Sequence, residues 1–193
     1  MTVRLLHRAE NGKLLLFFNG WSMDDTLFEG WENPGFNVMT VHDYTAPEAL
    51  PDLSPYTELH LAAWSLGVRI AAELLAGAPY RFESAAAFNG TLRPVDPEYG
   101  IEPAVFSGTV ANWGDERARA RFYRRLAGTA EFRLPQRSPE SQQAELAALA
   151  GVTELTEMAA VEMCCPDCGK TWKYRTNSEQ AEVTACCIQC GTQ

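Results

Sequence analysis

Residues 58–77 read ELHLAAWSLGVRIAAELLAG. Glu58–Ala63 is an apolar run of strand length, and Leu66–Ala76 has helical composition, closed by Gly77 and Pro79. Ser65 stands between them, with Ala63 two residues before and Gly67 two residues after. A serine on a sharp strand-to-helix turn needs small neighbours at those two positions, because bulkier ones would clash in the strained backbone. The turn lifts Oγ above the strand ends and sets it on a helix N-terminus, where the dipole favours developing negative charge. The competing reading is a serine that merely caps a helix. The strand before it and the helix after it favour a nucleophile.

Outward from this segment the chain keeps alternating. Val3–His7 and Leu14–Phe18 read as strands joined by the Asn11-Gly12 turn, a short hairpin signal. A short helix is expected over Asp24–Trp31, a strand over Phe36–Val41 and another over Phe82–Phe88. From Pro103 the pattern is helical, clearest over Asp115–Leu126 and Pro139–Ala150. Strands that alternate with helices and read as buried on both faces predict a parallel α/β sheet. The segment FFNGWSMDD, residues 17–25, ends a central strand in Asn19-Gly20. It can bring the Trp21 backbone N–H beside that of Leu66, making two donors for the oxygen of a tetrahedral intermediate.

The bulk composition narrows the classes. A net charge of −9 argues against nucleic acid as a partner of the whole chain. No apolar run reaches the ~18 residues of a membrane span. The N-terminus lacks a secretory h-region, so a cytoplasmic location is expected.

The stretches LLLFFNGWSMDD, VHDYT, LAAWSLGVRIAA, AFNGTLRPVDPEYGI, FYRRL and QRSPESQQAELAAL resemble the BioG-type pimeloyl-[acyl-carrier protein] methyl ester esterases, from about Leu14 to about Leu149. The resemblance implies a partial α/β-hydrolase sheet with a helical lid region over residues 1–155. It also implies hydrolysis of the methyl ester of pimeloyl-acyl-carrier protein in biotin synthesis. Ser65 would be the nucleophile, with the Trp21 and Leu66 amides as oxyanion donors. The family's acid and histidine lie near its C-terminus, and nothing here matches them.

Five of the sixteen basic residues fall within Asp115–Arg125. On a helix, Arg117, Arg121, Arg124 and Arg125 share one face. An acidic carrier protein with its phosphopantetheine phosphate would suit that face, since arginine pairs both groups bidentately. The bland reading is a solvated charged face.

The general base is the difficulty. Serine hydrolysis on this fold runs in the order Ser, acid, His, and no histidine follows His60. His60 lies five residues before Ser65 on one strand, roughly 16 Å away. His42, which ends a parallel strand on the same edge of the sheet as the elbow, is the best-placed of the three, although a structural histidine beside Asp43 is the simpler reading. Asp96 occupies a region where some hydrolases carry the acid.

All six cysteines lie between Cys164 and Cys190. Cys165-x2-Cys168-Gly and Cys187-x2-Cys190-Gly are eighteen residues apart, the pattern of a zinc-ribbon-like module over residues 156–193 with four thiolates on a structural zinc, iron being the second choice. Thr171–Arg175 alternates like a strand between the two pairs. Two functions are therefore expected: a carboxyl esterase, or an inactive hydrolase-like domain whose zinc ribbon contacts protein or nucleic acid.

Overall fold

The computed structural model describes residues 1–31, 35–131 and 133–150, and two further strands as backbone only. Strands β1 (Thr2–His7), β2 (Lys13–Phe18), β3 (Asn37–His42), β4 (Glu58–Trp64) and β5 (Ser84–Phe88) form one sheet in the order β1-β3-β2-β4-β5. β1 runs antiparallel to β3, and the other pairings are parallel. Four helices follow the pattern expected: α1 (Leu66–Leu75), α2 (Pro103–Asn112), α3 (Glu116–Ala127) and α4 (Pro139–Ala150).

β2 is central because both its edges are paired, and Leu14, Leu16 and Phe18 are wholly buried. By register, Leu16 and Phe18 share a face with Met39 and Val41 of β3, and Phe18 with Ala63 of β4. Val68, Ile70 and Ala71 of α1 join the same core. The opposite face, with Phe17, Thr40 and His42, receives a single 3-10 turn over Asp25–Phe28. Phe17 meets Phe28 edge-on at 5.1 Å, and the Thr40 hydroxyl donates to Asp25 at 2.5 Å.

Three expectations are corrected. The Asn11-Gly12 turn does not close a hairpin, because β3 lies between β1 and β2. Asn37, at the start of β3, donates to the carbonyls of Asn11 and Lys13, both at 2.8 Å, and accepts from Ala9. The loop thus wraps the end of β3, and a second parallel neighbour for β2 buries more apolar surface than an edge hairpin would. The helix expected over Asp24–Trp31 is only the 3-10 turn; Asp24 caps it by accepting from Thr26 N, and Gly30 ends the segment at φ 77°. The sheet is mixed and not buried throughout: on β5, Ser84, Ala87 and Phe88 are exposed.

Beyond α4, β6 (Ala159–Cys164) pairs antiparallel with β7 (Thr171–Thr176), the latter as expected from its alternation. Cys165, Cys168, Cys187 and Cys190 lie outside the described residues. No described helix is long and apolar enough to cross a membrane.

Candidate active site

Ser65 adopts φ 54° and ψ −127°, a conformation non-glycine residues rarely hold. Its neighbours enforce it. Ser65 N donates to Phe88 O at 2.9 Å, and Val68 N returns to Ser65 O at 3.1 Å. A Cβ on Gly67 would overlap the Asn19 carbonyl and lie 2.7 Å from Phe18 O, and one on Gly90 would lie 2.5 Å from Ser65 O. Ser65 precedes α1 but makes no side-chain capping bond, so its hydroxyl is not used as a helix cap. We expect Gly67→Ala to push α1 away from β2 and cost about 1–3 kcal/mol, read as a lowered urea midpoint at unchanged slope.

The loop after β2 runs beside the serine: a Cβ on Gly20 would lie 3.3 Å from that of Ser65. Among the described residues neither Trp21 N nor Leu66 N has a protein acceptor. Two unspent amides flanking a strained, uncapped serine are what an incoming carbonyl oxygen requires.

The loop from Trp21 to Asp24 is gripped by residues between Gln136 and Glu145, more than a hundred positions later in the chain. The Trp21 indole donates to Gln142 O at 2.7 Å, and Gln142 Nε2 donates to Ser22 O at 3.2 Å. Ser22 N donates to Glu145 at 3.3 Å, and Gln136 N donates to Asp24 at 2.6 Å. Glu145 is wholly buried; it also accepts from Tyr44 N at 2.8 Å and from Arg137 at 2.6 Å. Burial pushes its carboxyl above the usual range, against the pull of Arg137. Arg137 reaches on to Asp43 at 3.1 Å. The ring of Trp21 meets Trp113 at a tilt, 4.3 Å between centroids, and Phe122 edge-on at 5.2 Å. Sequence reasoning passed over this network. Its signal was present: Gln142, Glu145, Leu146 and Leu149 form one helical stripe, and half of it is polar.

None of the three histidines is bonded to Ser65. His60 lies between Ser84 Oγ and Glu58, each at 2.8 Å. His42 is buried, with Nδ1 3.5 Å from Asp25; burial lowers its pKa despite that carboxylate. It lines a cavity of about 560 Å³ with Asp24, Asp25, Arg4 and Arg137, on the sheet face that carries the 3-10 turn. This cavity does not include the serine. Asp96 is occupied in closing its own turn, accepting from Glu98 N and Tyr99 N at 2.8 and 2.7 Å.

Arg117, Arg121, Arg124 and Arg125 are all exposed on α3. Among the described residues none of them forms an ion pair. Arg119 instead turns inward to Trp113 O at 2.7 Å, and Tyr123 is buried, so the helix docks by its other face.

A family model described as pimeloyl-ACP methyl esterase BioG matches residues 1–156. A curated protein of Bacteroides fragilis, malonyl-[acyl-carrier protein] O-methyltransferase, is 35% identical over 142 residues, 70% of this chain and 29% of that protein. An uncharacterized protein of Haemophilus influenzae is 37% identical over 116 residues, 60% of this chain and 53% of that one. The chain thus spans about half or less of these curated relatives. The crystal structure of BioG from Haemophilus influenzae superposes with a TM-score of 0.67 at 32% identity, covering 77% of this chain and 71% of that one. MenH from S. aureus, with a TM-score of 0.54 at 13% identity, shares the fold. With a family model covering four-fifths of its length, the chain belongs to the pimeloyl-ACP methyl esterase BioG family.

Proposed function

We propose that this chain carries the nucleophile and oxyanion half of a carboxyl-ester hydrolase acting on the methyl ester of pimeloyl-acyl-carrier protein. The observation that carries the reading is the strained, uncapped Ser65 beside the unspent amides of Trp21 and Leu66. In the first step Ser65 Oγ bonds to the ester carbonyl carbon while its proton passes to a base. The carbonyl oxygen, now anionic, accepts from the two amides. The tetrahedral intermediate then expels methanol, which takes up the proton, and water hydrolyses the acyl-serine to the free carboxylate.

No histidine is bonded to Ser65 among the described residues, and none follows His60 in the sequence. Added imidazole is therefore the test. Ester turnover by the purified chain that rises with imidazole and depends on Ser65 supports the reading. Turnover equal to that of Ser65→Ala, with and without imidazole, overturns it in favour of an inactive hydrolase-like domain.

The exposed arginine face of α3 is proposed as the landing site for the acidic carrier protein. A related chain from Bacteroides fragilis is itself named for an acyl-carrier-protein substrate. Arg121→Glu with Arg124→Glu is expected to raise KM for the carrier-bound ester on the order of tenfold, two rim charges being worth about 1–2 kcal/mol together. Small methyl esters should turn over as before. Equal loss on both would remove the docking role.

A further inference from the structure

On the reading of Ser65 as nucleophile, we infer that Glu145 of α4 is a positioning residue that holds the Trp21 amide in its oxyanion-binding orientation by fixing Ser22. Ser22 is a non-glycine residue at φ 70°, next in chain to the proposed donor. A conformation of that kind persists only where its surroundings over-determine it. Here they do so from three sides. Glu145 accepts from Ser22 N at 3.3 Å, Gln142 donates to Ser22 O at 3.2 Å, and Tyr123 OH donates to Ser22 Oγ at 3.3 Å. Both backbone groups of the residue are thus spoken for, and the preceding Gly20–Trp21 peptide, which carries the Trp21 N–H, is tied to the same turn because Gly20 O accepts from Met23 N at 3.3 Å.

The chemistry calls for a carboxylate at this place. Three donors converge on the Glu145 side chain: Ser22 N, Tyr44 N and Arg137 Nη1. An ionised carboxylate is acceptor-only, with room for all three. A glutamine has one acceptor oxygen and would aim its NH2 at a donor. No solvent reaches the site to compensate, since Glu145 is wholly buried. The same carboxylate ties Tyr44, just after β3, so one group sets the spacing of the loops that follow β2 and β3.

The test is Glu145→Gln in the full chain, with Gln142→Met as a second variant that loosens Ser22 without touching the carboxylate. Amide hydrogen exchange at Ser22 and Tyr44 in Glu145→Gln should quicken by about tenfold or more, while amides of β2 and β4 keep their protection. The Trp21 amide resonance should shift or broaden in both variants. With imidazole supplied, kcat should fall on the order of 10-fold to 100-fold with KM within about twofold, the mark of a contact made only in the transition state. An exchange increase spread evenly over the sheet, an unmoved Trp21 resonance, or an unchanged kcat in an active protein would overturn the inference. If the unaltered chain shows no Ser65-dependent turnover, the hydrolase reading fails, and the local exchange and the Trp21 resonance still decide whether Glu145 holds the loop.

Discussion

Ser65→Ala is expected to bring imidazole-supported hydrolysis of the methyl ester down to the rate seen without protein, a loss of about 100-fold or more. The reasoning rests on what the substitution leaves behind. The fold should survive, since Ser65 Oγ makes no capping bond. The proposed oxyanion donors, Trp21 N and Leu66 N, also remain. They are backbone groups, and their orientation comes from Gly20, Gly67 and the grip of α4 rather than from the hydroxyl. The variant can therefore still bind ester and polarise its carbonyl, but no oxygen stands where the acyl group must be accepted. Any surviving turnover would come from imidazole or water attacking directly, and it would show no burst of methanol. A burst in the unaltered chain that disappears in Ser65→Ala would identify the acyl-serine.

Arg137→Ala is expected to lower unfolding free energy by about 3–5 kcal/mol, because it strands a buried carboxylate. The arginine side chain is only 10% exposed and bridges Glu145, wholly buried, to Asp43. Equilibrium urea unfolding reads the loss directly. Its pH dependence gives a second check. Burial already raises the Glu145 carboxyl, and removing Arg137 takes away the group that opposes that rise. A carboxyl raised in the folded state binds its proton more tightly there than in the unfolded chain, so stability falls as pH climbs from the unfolded value through the folded one. The deficit of the variant should accordingly be largest at neutral pH and shrink as pH is lowered towards the ordinary carboxyl value of 4.5. A deficit independent of pH would assign the loss to packing of the arginine stem instead.

Local chemistry was enough for the parts of this molecule governed by near neighbours. The elbow was legible because a strained turn admits few residues around it, and Ala63, Ser65 and Gly67 satisfy that demand within five positions. The helices α1, α3 and α4 were legible because periodicity and caps such as Asp115, which accepts from Ala118 N at 2.7 Å, are properties of a single turn. The arginine face of α3 followed from helical spacing alone. Where a residue's role depends on which strand lies beside it, the same reasoning failed. Asn11-Gly12 has the dipeptide of a tight hairpin, yet β3, some twenty-five residues later, enters between the two strands because parallel neighbours bury β2 on both edges. His42 does end its strand on the same edge of the sheet as the elbow, yet the strand's alternation turns its ring towards Asp25, on the other face from the core that α1 covers. Glu145 is the clearest case. A glutamate on a helix is ordinarily solvated, and this one is buried because three donors brought together from Ser22, Tyr44 and Arg137 need one acceptor with no proton of its own. Sequence spacing encodes neighbours along the chain, whereas desolvation and donor counting are set only when distant segments close around the same volume.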